Sequence, residues 1–136
     1  MLAACAGVDE RDTIVISIVG TNDVHGELAP QDDRGGLVTL SGYVSALRAV
    51  RADDGAVLLV DAGDMWQGTL ASNLAEGRPV VDAYNALGYA AAAVGNHDFD
   101  FGPLGPKPIP DSDDDDPQGA LRQRAREADF PLLAAN

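Results

Sequence analysis

The sequence is poor in the residues that support several common kinds of site. It has one cysteine and two histidines, and aromatic residues make up only 5% of it. A single cysteine excludes an internal disulfide and any metal site built from several thiolates. Lysine and arginine number 9 against 22 aspartates and glutamates, which gives a formal net charge of -13. This balance lacks the basic surface that binds a phosphate backbone, so it argues against a nucleic-acid polymer as partner.

Long hydrophobic runs are also missing. No stretch approaches the roughly 20 apolar residues that a membrane-spanning helix requires. The first residues, Leu2-Ala3-Ala4-Cys5, nevertheless resemble a bacterial lipobox, in which the cysteine carries a lipid. We therefore expect residues 1–12 to be a truncated signal and linker. The protein would then be extracytoplasmic, in the envelope, periplasmic or secreted, with Cys5 as its lipid anchor. The alternative is a frayed terminus with an incidental thiol.

What the sequence does contain is an alternation of strand and helix patterns. Its 136 residues, 46% of them apolar, are enough for one domain with a real core. Apolar runs predict strands at 13–19, 56–60, 90–94 and from 130 onward, with helices at 37–52, 79–88 and 117–128 between them. This order is typical of an α/β domain with a largely parallel sheet.

Two further features complete the pattern. The first two strands are apolar on both faces, and we expect them to be buried on both. The segment 103–117 contains five prolines, together with Asp111 and the tract 113–116, and is predicted to be a long, solvated, irregular loop.

Polar residues follow three of the predicted strands at the point where each ends: Asp23 and His25, then Asp64, then Asn96, His97 and Asp98. The carboxyl ends of parallel strands meet at one edge of a sheet, where ligands bind. Carboxylate, imidazole and amide groups together suit divalent zinc, manganese, iron or cobalt. Two such ions roughly 3.5 to 4 Å apart would activate a shared water for attack at phosphorus. The alternative is that the aspartates form turns or caps and the histidines are structural.

Four sequence segments carry a resemblance to a known family. They read TNDVHGEL at 21–28, GDMWQGT at 63–69, GNHDFDFG at 95–102 and FPLLAAN at 130–136. In this order they resemble the calcineurin-like metallophosphoesterases, and specifically the bacterial 5′-nucleotidases. The resemblance implies that residues 13–136 are the amino-terminal portion of an αββα catalytic domain. On this resemblance, we expect the carboxy-terminal part and the substrate domain of that family to lie outside these residues.

The resemblance also implies a role for each polar residue. Asp23 and His25 would bind the first of two divalent ions, Asp64 would bridge both, and Asn96 would bind the second and contact the substrate. His97 would be no ligand but would contact the substrate and stabilise the transition state. Asp98 would pair with His97 and hold it in place.

The activity implied is hydrolysis of nucleoside 5′-monophosphates, or related nucleotides, through a metal-bound hydroxide. Relatives acting on 2′,3′-cyclic nucleotides, UDP-sugars or thiosulfate esters share these motifs, so the substrate stays open. The family's later histidine ligands do not follow His97, and we therefore expect a fragment that is inactive alone. A non-catalytic metal-binding remnant is the rival hypothesis. The sequence indicates no protein partner.

Overall fold

The computed structural model describes residues 13–134 and contains a four-stranded parallel sheet in the order β1-β2-β3-β4. The strands are β1 (Val15–Thr21), β2 (Gly55–Asp61), β3 (Ala91–Ala93) and β4 (Leu132–Leu133). The longest pairing joins β1 to β2, and it runs to the last residue of both strands. The predicted α/β class is confirmed. The lipobox and Cys5 lie outside the described residues.

Helices connect the strands in turn: α1 (Gly36–Val50), α2 (Leu70–Asn73), α3 (Arg78–Leu87) and α4 (Gly119–Glu127). The three predicted helices are confirmed, whereas the short α2 was not predicted. Helix α3 has Pro79 in its first turn and is followed by Gly88, whose left-handed backbone suits a helix terminus. Within residues 13–134 no helix is long and apolar enough to cross a membrane.

One face of the sheet is covered by helices. Parallel strands in sequence order, joined by right-handed crossovers, place their connecting helices on the same side. The burial pattern agrees, because Leu59 of β2 is fully buried together with Val44 of α1 and Tyr84 of α3. Met65 and Trp66, which lie in the segment that follows β2, are also completely buried in this core.

The opposite face of the sheet is bare in the part of the chain that the structure describes. In β1, Ile16 and Ile18 are 63% and 68% exposed, and Leu58, which lies opposite Ile18 in the register, is 39% exposed. The expectation that the first two strands are buried on both faces is therefore wrong for residues 13–134. Apolar side chains on both faces indicate that both are suited to burial, but they do not reveal what covers each face.

Candidate metal centre at the carboxyl edge of the sheet

The loops that follow β1 and β2 continue side by side beyond the ends of the strands. The backbone N–H of Asp23 donates to Gly63 O at 3.0 Å, that of His25 to Asp64 O at 3.0 Å, and that of Gly26 to Met65 O at 2.9 Å. These bonds extend the strand pairing into the loops. Asp23, His25 and Asp64 are thereby held at the same edge of the sheet.

All three of these residues have a left-handed backbone. Their φ angles are 50° for Asp23, 48° for His25 and 58° for Asp64. Such a conformation costs a residue with a side chain on the order of 1 to 2 kcal/mol. The hydrogen bonds between the two loops hold the residues in it. Strained positions that the surroundings enforce in this way are typical of functional sites.

The side chains of these residues form a candidate metal-binding cluster. One ligand atom from each of Asp23, His25 and Asp64 lies within 4.8 Å of the others. His25 Nδ1 is 2.9 Å from Gln67 O, and because a carbonyl only accepts, Nδ1 must carry the proton. In the neutral ring Nε2 then keeps its lone pair, and it lies 3.7 Å from Asp23 Oδ1. This donor set and this tautomer fit a divalent metal ion.

The loop after β3 closes over Asp64. His97 N donates to Asp64 Oδ1 at 2.8 Å, and a Cβ atom on Gly95 would stand 2.2 Å from the same oxygen. Only glycine at position 95 lets the two loops come this close. Asn96 is exposed in the same loop, directly before His97. Its role as a ligand for a second ion stays a prediction.

Asp98 has a different position from the one expected. It is 1% exposed, and its carboxylate accepts the N–H groups of Asp64 at 3.1 Å, Met65 at 2.8 Å and Gly95 at 2.8 Å. Burial raises the pKa of Asp98 above its ordinary value, although these three hydrogen bonds act in the opposite direction. Asp98 thus ties the loop that carries Asp64 to the loop after β3.

The carboxylate that contacts the His97 ring is Asp100, whose Oδ2 lies 2.7 Å from His97 Nδ1. Asp98 was expected there, but His97–Phe99 form a turn of 3₁₀ helix, in which side chains three apart lie on the same side. The signal for this contact in the sequence is the His-x-x-Asp spacing of His97 and Asp100. The hydrogen bond that the His97 ring donates to Asp100 raises the pKa of His97 above its ordinary value. The rings of His97 and His25 are 5.4 Å apart, which puts His97 beside the metal cluster.

A buried carboxylate beneath the cluster was also missed. Asp61, the last residue of β2, is 6% exposed. Its Oδ2 accepts from Thr21 Oγ1 at 2.5 Å and Tyr84 Oη at 2.8 Å, and its Oδ1 accepts from Gly63 N at 2.8 Å. Burial raises the pKa of Asp61, and these bonds oppose that rise. An aspartate three residues before a suspected ligand in the same short motif was the available signal.

Comparisons with known proteins agree with this geometry. No protein-family model matches the chain. A snake venom 5′-nucleotidase of Gloydius brevicauda is 37% identical over 131 residues, which cover 89% of this chain and 19% of the relative. The protein UshA of Yersinia enterocolitica is 37% identical over 131 residues, which cover 93% of this chain and 21% of that protein. The chain therefore spans about a fifth of the length of these curated relatives.

Solved structures show the same relationship. A 5′-nucleotidase precursor from Thermus thermophilus matches with a TM-score of 0.69 and 30% identity, over 89% of this chain and 22% of its own. The calcineurin-like phosphoesterase YfkN of Bacillus subtilis matches with a TM-score of 0.68 and 26% identity, over 89% of this chain and 36% of its own. The resemblance to the amino-terminal part of 5′-nucleotidase-type metallophosphoesterases is confirmed.

Proposed function

We propose that this chain carries part of the active site of a metal-dependent phosphoric ester hydrolase acting on nucleoside 5′-monophosphates or related nucleotides. The observation that carries the proposal is the convergence of Asp23, His25 and Asp64 at the carboxyl edge of the sheet. It occurs in a chain similar to 5′-nucleotidases over most of its length. A mixed oxygen and nitrogen site of this kind suits hydrolysis at phosphorus.

Each residue of the cluster has a proposed role. Asp23 and His25 would hold one divalent ion, Asp64 would be a ligand shared with a second, and Asn96 would supply an amide oxygen to that second ion. Zinc, manganese, cobalt and iron all accept these ligands. When bound, such ions supply positive charge against the phosphate oxygens and make a water acidic enough to attack. The chain fixes where this happens, because the paired loops hold the three ligands at one edge of the sheet.

His97 is the proposed group that contacts the substrate. Its Nδ1 is occupied by Asp100, so its Nε2 is the nitrogen left to donate a hydrogen bond to a phosphate or leaving oxygen. The contact with Asp100 favours the protonated ring, which is the form that donates. Asp98 acts indirectly, by holding the backbone of Asp64 and Gly95.

The bare face of the sheet supports a proposal about the rest of the protein. Isolated apolar side chains on a surface are common, but a row of them across β1 and β2 is typical of a face that another layer covers. We propose that residues 13–136 are the amino-terminal portion of a catalytic domain whose second layer packs there. Further metal ligands and contacts to the nucleotide would come from this second layer and the rest of the protein.

The proposed location is outside the cytoplasm. One similar protein is a venom component, and the residues before Cys5 resemble a lipobox. Cys5 is the proposed lipid attachment point, with residues 1–12 as the remainder of a signal and linker. Mass spectrometry of the native amino terminus tests this, and an unmodified terminus at another residue would exclude the anchor.

The test of the function is hydrolysis of adenosine 5′-monophosphate by the full-length protein. We expect activity that a chelator abolishes and that manganese, cobalt or zinc restores. Adenosine 3′-monophosphate is the matched control substrate. A parallel panel of 2′,3′-cyclic nucleotides, UDP-sugars and thiosulfate esters identifies a related activity if the 5′-nucleotide is not the substrate. Full activity in metal-free protein would contradict the proposal, and metal binding without any turnover would favour a non-catalytic remnant.

A further inference from the structure

Asp61 lies at the meeting point of the elements that carry the metal ligands. Through Thr21 Oγ1 it holds the last residue of β1, two residues before Asp23. Through Gly63 N it holds the residue that immediately precedes Asp64. One buried carboxylate therefore contacts the residues that lead into both ligand loops, which are the loops after β1 and β2 that carry Asp23 and Asp64.

A second layer of contacts fixes Asp61 itself. Tyr84 of α3 donates to Asp61 Oδ2, and Tyr89 Oη lies 2.9 Å from Thr21 Oγ1. The two tyrosine rings stack with their centroids 3.8 Å apart. A carboxylate held by two hydroxyl groups and a backbone N–H has little freedom to move. It can therefore define the positions of the loops that it contacts.

The charge of Asp61 is not balanced by the residues around it. Its hydrogen-bond partners among residues 13–134 are Thr21, Gly63 and Tyr84, and none of these groups is positively charged. Asp23, the nearby charged group that acts on it, is also an acid. Leaving a buried carboxylate without a counter-charge is costly. A divalent cation bound at Asp23 would supply that counter-charge.

We propose that Asp61 is a positioning residue of the metal centre, which sets the ligand loops after β1 and β2 and increases their affinity for a divalent cation. The inference rests on the proposed metal centre but concerns affinity, not the identity of the substrate. It differs from a purely structural role. A residue that only fastened α3 to the sheet would change stability and leave metal affinity unchanged.

The test compares Asp61→Asn with Asp54→Asn in the full-length protein. Asp61→Asn keeps the shape of the side chain and an oxygen that accepts from Gly63 N, but it removes the negative charge of the carboxylate. Asp54 lies just before β2, at the other end of that strand, and pairs with Arg51 at 2.9 Å. Both changes remove one negative charge, so any effect of net charge alone is the same in the two variants. Manganese binding to the metal-free proteins is measured by calorimetry.

We expect the dissociation constant for manganese to rise about tenfold or more in Asp61→Asn, the scale typical of lost outer-shell carboxylates. It should stay close to the wild-type value in Asp54→Asn. Equal constants in the two variants would overturn the proposal. If Asp61→Asn does not fold, as judged by circular dichroism, Thr21→Val takes its place. This change keeps the shape of Thr21 and removes one donor to Asp61, and it should also weaken manganese binding relative to Asp54→Asn.

The same experiment separates this inference from the proposed function. Wild-type protein that binds manganese but hydrolyses no nucleotide would exclude the function, while the comparison of dissociation constants still decides the role of Asp61. Wild-type protein that binds no divalent cation would overturn both.

Discussion

Two regions of this chain are rich in acids and irregular in backbone, yet they are built differently. At the carboxyl edge of the sheet, Asp98 accepts N–H groups from residues 33 and 34 positions away in the chain. In the segment 103–117, Asp115 accepts only from Asp111 and Ser112, four and three positions away. The first kind of carboxylate joins separate loops, whereas the second only shapes its own turn. A high density of acids therefore does not by itself identify a site.

The largest effect should come from removing the central ligand. Asp64→Ala takes away the carboxylate proposed to bridge both ions, so metal content should fall, and turnover should fall more than about 100-fold, beyond the range typical of outer-shell residues. Metal analysis of the purified protein and an assay with adenosine 5′-monophosphate measure the two effects. Asp115→Ala, in the segment with local contacts, is the matched control. Normal metal content in Asp64→Ala would show that the cluster is not the metal site.

Replacing Asp98 should mainly reduce stability. Asp98→Ala leaves the N–H groups of Asp64, Met65 and Gly95 without their acceptor. Since a buried polar group left unsatisfied costs about 1 to 3 kcal/mol, we expect a loss of about 3 kcal/mol in the free energy of unfolding. Denaturant titration of the full-length protein measures it. If Asp98→Ala lowers the free energy of unfolding no more than Asp115→Ala does, the two regions do not differ in the way described.

These two residues also show what the sequence could and could not predict. Strand patterns placed Asp64 and Asp98 at the sheet edge, because parallel strands end on the same side. The sequence could not distinguish a carboxylate that points toward the cluster from one that points into the backbone. That distinction depends on the 3₁₀ turn after Asn96, which puts Asp100 beneath His97 and leaves Asp98 to face Met65. The sequence could likewise not predict the bare face of the sheet, because an apolar strand has the same residue pattern whether or not another layer covers it.

Replacing His97 should have a different effect from replacing Asp64. In His97→Ala the ligand loops stay paired, so metal content should remain near that of wild type. Turnover should fall roughly 100-fold or more, as expected for loss of a donor to the transition state. Asp100→Asn should cause a smaller fall, because it keeps the ring and changes only its partner. Metal analysis, together with measurement of kcat and KM, distinguishes a variant that has lost metal from one that has lost only turnover. Equal metal loss in His97→Ala and Asp64→Ala would mean that His97 is itself a ligand.

The smallest effect should come from neutralising the acidic segment. Asp113 and Asp114 are exposed, and the double change Asp113→Asn with Asp114→Asn removes two of the negative charges behind the net charge of -13. Exposed charges act on a distant site only through the solvent, and this interaction is largely screened beyond about 10 Å at 0.1 M salt. Turnover and manganese affinity at that salt concentration should therefore match wild type. At low salt the double variant should bind manganese slightly more weakly, because diffuse attraction is then less screened. A large loss of affinity that persists at high salt would show that this segment binds the ion directly, and the two regions would then share the function assigned here to the sheet edge alone.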